Sequence, residues 1–179
     1  MSRPRSAEPV KLVASFLSTR DERIAEAIRG LAKVCGDPDF VGPCHPFSFT
    51  EYYEGELGSP LRRRFVSFER LAAPDSLPAV KLQSNSLEER LAEGGKRTVN
   101  IDPGYISLAH MILATCKGYT HRPYLRDGVY ADLTLLYQDR RFRTLPWTYP
   151  DYAAEETREM FRTLRERYVL QLKQMGASS

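Results

Sequence analysis

The sequence predicts an α+β fold, a ferredoxin-like βαββαβ sandwich that is extended by an antiparallel β-hairpin or meander and by a long C-terminal helix. Two amphipathic helical patterns follow extended stretches in the first half, in the order strand, helix, strand, strand, helix, strand. Asp127-Gly128, a strong hairpin signal, lies between alternating apolar residues in the second half. A third helical pattern begins at Ala154 and runs to about Met175.

The first strand and the first helix are predicted from a change in hydrophobic period. Residues 10–17 form a short apolar run of strand length. The apolar residues that follow recur at the spacing of one helical face, and they are Ile24, Ala27, Ile28, Leu31 and Cys35. Gly36 stands where a C-cap glycine would end this helix.

An antiparallel hairpin is predicted between the two helices. Residues 37–46 are expected to form a loop, because prolines and glycines interrupt them. Residues 47–57 and 61–71 are expected to be extended. The residues between them, 58–60, read Gly-Ser-Pro and would supply the turn.

The second helix and the strand after it bring polar residues together. Residues 75–92 show apolar residues on one helical face, with a proline in the first turn. Residues 98–101 are expected to form a strand that leads into a turn at Pro103-Gly104. Asn100 and Asp102 would share one face of this strand.

The second half of the chain completes the predicted domain. Residues 107–116 are apolar and compatible with a short helix, which would precede the hairpin or meander and the C-terminal helix. We expect residues 1–8 to form a disordered tail. The remaining residues, 9–175, are predicted to form one α+β domain with a ferredoxin-like half, 9–107, and a second half, 108–175.

The composition places the chain among ordinary globular proteins. Of its 179 residues, 42% are hydrophobic and 27% are charged, unlike a disordered chain. The net charge of +3 fits an anionic ligand but is below the basic excess of typical nucleic-acid-binding proteins. Three cysteines without close spacing predict reduced thiols. Because the sequence shows no signal peptide or membrane span, we expect a cytoplasmic protein that does not bind membranes.

Polar and aromatic residues gather in the second half and predict a site for an anionic, possibly nucleotide-like small molecule. Asp102 and His121 are the candidate catalytic pair, because a histidine exchanges protons near neutral pH and a carboxylate can orient it. Arginine and lysine side chains would bind the anion. The candidate ligand-binding residues are Arg97, Asn100, Tyr105, Lys117, Arg122, Tyr124, Trp147, Tyr149 and Asp151.

Each candidate also has a structural interpretation. Asp102 precedes Pro-Gly and is a favourable turn residue, because its carboxylate can accept hydrogen bonds from nearby amides. His121 would equally serve as a hydrogen-bonded structural histidine. Trp147 and Tyr149 lie between two prolines and would pack as a rigid strap across the sheet.

The alternative function is a non-catalytic interaction module that binds RNA or forms a homo-oligomeric scaffold. Arg62-Arg63-Arg64 lies near aromatic residues, which suggests RNA stacking on the sheet. Charges on an exposed strand also protect its edge from aggregation. No metal site is predicted, because His-Glu-x-x-His and paired-cysteine spacings are missing from the sequence, and the sequence identifies no cofactor.

Several long motifs resemble one family of bacterial proteins. "KRTVNIDPGYISLAHMILATCKGYTHRPYL", "GVYADLTLLY" and "LPWTYPDY" are similar to the signature blocks of DUF4416, a domain of unknown function. Upstream, "PFSFTEYYEGELG" and "RRRFVSFERL" resemble the same family, so the resemblance covers nearly the whole chain. It implies no activity, although some members carry the label "GTP-binding protein".

The motifs of conventional GTPases are missing from the sequence. A P-loop needs G-x-x-x-x-G-K-[ST] between a strand and a helix, so that backbone amides hold the phosphates. Here Gly95-Lys96 is followed by Arg97, and Arg90 stands where the first glycine belongs. The segment also runs from a helix into a strand. A conventional GTPase is therefore not predicted, although a nucleotide could bind in another way.

Overall fold

One antiparallel sheet of eight strands forms the centre of the computed structural model, which describes residues 3–177. The strands are β1 (Val10–Ser18), β2 (Pro38–Phe47), β3 (Leu61–Ala72), β4 (Asn100–Ile106), β5 (His110–Thr115), β6 (Tyr124–Arg126), β7 (Val129–Gln138) and β8 (Arg141–Thr144). The helices are α1 (Asp21–Cys35), α2 (Glu54–Leu57), α3 (Leu77–Arg90), α4 (Pro150–Ala153) and α5 (Glu155–Ala177). The first two residues of the predicted tail lie outside the described residues, and residues 3–9 form no helix or strand.

The strand order is β2-β3-β1-β4-β5-β7-β6, and β8 pairs with the end of β7. Neighbouring strands are antiparallel throughout. α1 connects β1 to β2, and α3 connects β3 to β4. The predicted α+β class and the long C-terminal helix are therefore confirmed.

Helices cover the sheet on both faces. Alternating residues of β1 separate the two sides, because Leu12 and Phe16 pack with α1 and α3 in one core, whereas Val13 packs in the other. The second core contains Phe161 and Tyr168 of α5. The five apolar residues predicted for one face of α1 are all buried, as helical periodicity requires.

Two tight turns connect the strands of the second half. Asp127 and Gly128 have φ angles of 54° and 76° between β6 and β7. Asp139 and Arg140 have φ angles of 49° and 61° between β7 and β8. Positive φ at both central residues is typical of type I′ hairpins, whose twist matches that of the strands. The predicted hairpin at Asp127-Gly128 is confirmed.

The predicted short helix over residues 107–116 is wrong, because β5 occupies most of this stretch. Met111 and Leu113 of β5 pack toward α5, whereas Ile112 and Ala114 pack toward α1 and α3. A strand that is buried on both faces loses the alternation of apolar and polar residues. Its apolar run then resembles a short buried helix in sequence.

The predicted loop over residues 37–46 is also wrong, because these residues belong to β2. β2 lies at the edge of the sheet and pairs only with β3. Its outer side has no neighbouring strand, so a proline whose missing amide would face outward costs the sheet no hydrogen bond. The predicted extended stretch over residues 47–57 becomes strand only at Phe47. Residues 48–60 instead form a long connection that contains α2.

Pro103-Gly104 is not the predicted turn, because both residues lie inside β4, where they pair with Ala14 and Val13 of β1. A strand tolerates a proline where its missing amide would face no partner. Gly104 is required by a close approach, since a Cβ atom there would lie 2.3 Å from the carbonyl oxygen of Ile112. β4 and β5 therefore come unusually near each other at this point.

β4 and β5 pair over only three residues and diverge before Gly104. In the gap, the amide of Ile101 donates to Glu88 Oε1 at 2.6 Å, and the carbonyl of Ile101 accepts from Lys81 Nζ at 3.1 Å. Both side chains come from α3 and are buried. Because buried main-chain groups need partners, α3 replaces the missing strand at this position.

Gly104→Ala should destabilise the protein, because the new Cβ would collide with backbone that cannot move without breaking the β4–β5 pairing. We expect the free energy of unfolding to fall by about 1–3 kcal/mol, which for a chain of this size lowers Tm by roughly 2–12 °C. Urea denaturation and thermal unfolding measure this change. In the control variant Gly55→Ala, the Cβ meets nothing within 4 Å, so stability should stay equal or rise slightly. Equal stabilities of the two variants would contradict the close approach.

Glu88→Gln should change the pH dependence of stability. Burial raises the pKa of Glu88, although Lys81, the Ile101 amide and Arg97 favour its charged form. The folded state therefore binds this proton more tightly than the unfolded state, so its contribution to stability falls as pH rises. We expect the stability of the wild type relative to Glu88→Gln to decrease from about pH 4 to about pH 7, measured by urea denaturation.

Glu93→Gln is the matched control and should show the opposite trend. Hydrogen bonds from Arg20 and Arg23 lower the pKa of the exposed Glu93. The stability that Glu93 contributes is therefore present above its unfolded pKa and is lost as pH falls. Equal pH trends for the two variants would show that Glu88 is not buried in the folded protein.

Candidate functional site

A cavity of about 610 Å³ lies where β4 and β5 diverge. Its walls come from β3, β4, β5, β7, α3, α4 and the connection between β2 and β3. Five cationic side chains line it, and they are Arg63, Lys81, Arg97, Lys117 and Arg122. Four carboxylates line it as well, namely Glu88, Asp102, Asp132 and Asp151. The cavity is therefore polar, with charges of both signs.

Seven of the eleven site residues predicted from sequence line this cavity. They are Arg97, Asn100, Asp102, Lys117, Arg122, Tyr149 and Asp151. The seven come from β4 and the residues just before it, the turn after β5, the loop before β6, and α4 with the residue that precedes it. Residues that are separated by up to 54 positions in the chain, counted from 97 to 151, thus meet at one cavity.

Asn100 and Asp102 point to the same side of β4, as predicted. The amide nitrogen of Asn100 donates to Asp102 Oδ2 at 2.8 Å, and Asn100 Oδ1 accepts from Arg97 Nη1 at 3.0 Å. Asn100 is therefore held from both ends. Among residues 3–177, no cationic group lies within 4.0 Å of the Asp102 carboxylate, since none of the ion pairs includes it.

Arg63 and Asp151 form a buried ion pair on the cavity wall. The Arg63 guanidinium also lies 4.5 Å from the centre of the Phe47 ring, a cation–π contact. Burial raises the pKa of Asp151, and the charge of Arg63 opposes this effect. The Nε atom of Arg63 is buried and has no hydrogen-bond partner within the described part of the chain. An unpartnered buried donor of this kind is costly and calls for an acceptor.

Arg122 connects three parts of the second half. Its Nε donates to Asp132 Oδ2 at 2.8 Å, its Nη2 donates to the Tyr149 hydroxyl at 2.7 Å, and its Nη1 donates to the Lys117 carbonyl at 3.2 Å. Asp132 is buried on β7. Burial raises the pKa of Tyr149, so its hydroxyl stays protonated at neutral pH.

Two contacts hold the β2–β3 connection against the cavity. Arg97 donates two hydrogen bonds to the carboxylate of Glu56 in α2, at 2.8 and 2.6 Å. The ammonium of Lys117 donates to the Tyr52 hydroxyl at 2.7 Å and lies 4.5 Å from the centre of the same ring. Bidentate arginine–carboxylate pairs are geometrically specific, so the connection has a defined position at the cavity mouth.

Four predicted site residues do not line the cavity. Tyr105 is buried on the opposite face of β4, in the core under α1 and α3, where burial raises its pKa. Tyr124 is exposed on β6 and packs edge-on against Tyr130. Trp147 donates a hydrogen bond from Nε1 to the carbonyl of Leu133 at 2.8 Å, which holds the residues between β8 and α4 against β7.

His121, the fourth, stacks on Trp147 with ring centres 4.6 Å apart. Its Nε2 lies 3.6 Å from Asp132 Oδ2. The carboxylate beside His121 is therefore that of Asp132, whereas the sequence predicted that of Asp102. Asp132 lines the cavity, whereas His121 does not and lies next to Asp132 on the side away from the cavity.

Several lining residues were missing from the predicted site. Arg63 was interpreted as part of a charged strand edge, yet β3 lies between β2 and β1 and is not an edge strand. Asp132 stands at a polar position of the alternation in β7, so its burial has no signal in the sequence. Lys81 and Glu88 lie on the same face of α3, two turns apart. Their burial is explained by the gap between β4 and β5, where both side chains bond to the main chain of Ile101.

The arginine cluster does not present aromatic rings to solvent. Arg62 pairs with Asp21, and Arg63 pairs with Asp151 inside the protein. Phe65 and Phe68 are buried, one on each face of the sheet. Because both faces are covered by helices, these rings do not form a stacking surface for bases.

The described residues contain neither a metal-binding cluster nor a helix that could span a membrane. Within residues 3–177, no three His, Cys, Asp or Glu side chains lie close enough together to hold a metal ion. In the same residues, no helix combines the length and the apolar character needed to cross a membrane.

Comparison with known proteins identifies one family. No curated protein and no solved structure matches the chain significantly. The sequence profile of DUF4416, described as a domain of unknown function, matches residues 8–168, which include the whole cavity wall. The resemblance of the sequence motifs is thereby confirmed, and the chain belongs to the DUF4416 family.

Proposed function

We propose that this protein binds an anionic small molecule in the cavity between β4 and β5. The observation that carries the proposal is that Arg63 and seven predicted residues, Lys117 and Arg122 among them, converge on one concave site. The volume of about 610 Å³ is within the range of natural ligand sites, about 300–1,000 Å³. A nucleotide-sized molecule fits this range.

Unused hydrogen-bond donors support an anionic ligand. Among the described residues, Lys117 Nζ donates to one group, the hydroxyl of Tyr52. An ammonium group has three donors, so Lys117 retains capacity for an anionic oxygen. Charge-assisted hydrogen bonds are about twice as strong as neutral ones, which favours a phosphate or carboxylate at this place.

Asp102 and His121 are proposed to have different roles if the bound molecule reacts. Asp102 lines the cavity, so it could exchange a proton with a ligand directly. His121 lies behind Asp132 and would act as a positioning residue through that carboxylate. Enzymatic activity is thus compatible with the site, whereas binding alone requires only the cationic groups.

The proposal includes a ferredoxin-like arrangement of the first four long strands. The order β2-β3-β1-β4, with α1 and α3 as the two crossover helices, supports it. The predicted ferredoxin-like half would then supply β3, β4 and α3 to the cavity. The remaining strands and α4 would supply its other walls.

A thermal-shift screen of nucleotides and phosphorylated metabolites should find a compound that raises Tm. At ~100 times its Kd, a ligand adds about 2.7 kcal/mol to the free energy of unfolding, or roughly 5–11 °C in Tm for this size. Lys117→Met should abolish the shift but alter the unliganded Tm by less than about 2 °C, because Lys117 is exposed. Lys96→Met, a control at an exposed position outside the cavity, should keep the full shift.

Protection of Cys116 from a thiol reagent locates the bound compound. Cys116 is exposed on the cavity wall, whereas Cys35 is buried and burial raises its pKa to about 12. Iodoacetamide should therefore modify Cys116 first, and the compound should slow this reaction, as followed by peptide mass spectrometry. A compound that raises Tm without protecting Cys116, or that works equally on Lys117→Met, would contradict the proposed site. The absence of any shift across the anionic panel would contradict the proposed ligand class.

A further inference from the structure

Most charges on the cavity wall already have partners of opposite sign. Among the carboxylates, Glu88 pairs with Arg97, Asp132 pairs with Arg122, and Asp151 pairs with Arg63. The charges of these pairs are balanced within the protein, so the pairs offer a ligand fixed hydrogen-bond groups more than net charge. Recognition by charge therefore depends on the groups that remain.

Asp102 is the carboxylate of the cavity wall that remains without a cation in the described residues. Within residues 3–177, the amide of Asn100 is the one side chain that donates a hydrogen bond to Asp102. A carboxylate accepts about four hydrogen bonds, so Asp102 retains acceptor capacity toward the cavity. Its charge extends into the site, since burial and then the charge of Asp102 raise the pKa of Tyr53.

Two cations of the wall, Lys81 and Lys117, form no ion pair with the described residues. Lys81 is buried and donates to the carbonyl of Ile101, so the exposed Lys117 is the cation available to a ligand. Its ammonium contacts the hydroxyl and the ring of Tyr52. Lys117 follows β5 and Asp102 lies on β4, so the two unpaired charges stand on the two strands that diverge around the cavity. A molecule that spans the gap between the strands would meet one charge of each sign.

Aromatic rings surround the mouth of the same cavity. Phe49, Tyr52 and Tyr149 line it and are 52%, 65% and 41% exposed. Exposed aromatic side chains that gather around a polar cavity are typical of a ligand site. A planar ring in the bound molecule would cover these side chains and gain stacking contacts.

We propose that the ligand is a zwitterion with a planar ring, which carries a positively charged nitrogen for Asp102 and an anionic group for Lys117. This inference rests on the proposed function and narrows its ligand class. Anions without a cationic group would use only half of the site. Amines without an anionic group would use only the other half.

Three related compounds test this inference by isothermal titration calorimetry. Phenyl phosphate carries a ring and an anion, and tyramine carries a ring and an ammonium group. Tyramine phosphate, the monoester in which phosphate is bound to the phenol oxygen of tyramine, carries the ring, the anion and the ammonium group. Tyramine phosphate should bind with a Kd about tenfold lower than that of either compound, because one further ion pair contributes about 1.4 kcal/mol. The anionic control is inorganic phosphate, which should bind more weakly than phenyl phosphate.

Two variants assign the charges. Asp102→Asn keeps the shape of the side chain and removes its charge, so tyramine phosphate should lose its advantage over phenyl phosphate. The Kd of phenyl phosphate should not rise, because the variant removes a negative charge from an anion site. Lys117→Met should weaken both phosphates about tenfold or more and leave tyramine unchanged. Lys96→Met should alter none of the values. Circular dichroism and Tm show whether each variant is folded, and Asp102→Ser serves as a second neutral substitution.

Three results would overturn the proposal that the ligand is a zwitterion. Equal Kd values for phenyl phosphate and tyramine phosphate would show that Asp102 meets no cation. An advantage of tyramine phosphate that persists in Asp102→Asn and Asp102→Ser would place the nitrogen elsewhere. Failure of all three compounds to bind would reject this ligand class. The proposed anion site would survive each of these results if another anion from the wider screen protects Cys116 and depends on Lys117.

Discussion

The hydrogen bonding of Ile101 is the interaction on which the cavity depends. In a continuous sheet its amide and carbonyl would bond to β5, but Glu88 and Lys81 of α3 bind both groups instead. An unsatisfied buried main-chain group costs about 1–3 kcal/mol, so the gap between β4 and β5 is stable only because α3 fills this role. Pro103 and Gly104 set the point at which the pairing stops. The cavity thus follows from main-chain hydrogen bonding as much as from the residues that line it.

The buried charges of the cavity wall are not explained by stability, and they agree with the proposed ligand site. Arg63, Lys81, Glu88 and Asp151 are each less than 9% exposed. Removing such ions from water costs several kcal/mol for each, and apolar residues of similar volume often stabilise a protein equally well or better. Held rigidly by their partners, however, buried charges present fixed hydrogen-bond donors and acceptors to a ligand. Asp102 and Lys117, which form no ion pair with the described residues and are not buried, lie at the same wall.

The sequence predicted elements with a clear local pattern and misjudged several whose residues are explained by tertiary neighbours. α1 and α5 each bury one face, so their apolar residues show helical spacing. The Asp127-Gly128 hairpin was predictable because its backbone conformation is a local property. β5 was mistaken for a helix because both of its faces are buried, and Pro103-Gly104 was mistaken for a turn because the reason for its presence is the approach of β5. Such reasons depend on tertiary neighbours that the local pattern does not contain.

The same distinction applies to the site. Asn100 and Asp102 were predicted as a pair because two residues of one strand share a face. Arg97 was predicted as an anion-binding residue, but it bonds instead to Glu56, which is 41 residues away, and to Glu88 and Asn100. Since Asn100 in turn donates to Asp102, the position of that carboxylate is connected through Arg97 to the β2–β3 connection at the cavity mouth. The geometry of Asp102 therefore depends on a contact with α2 that neither strand periodicity nor residue spacing could indicate.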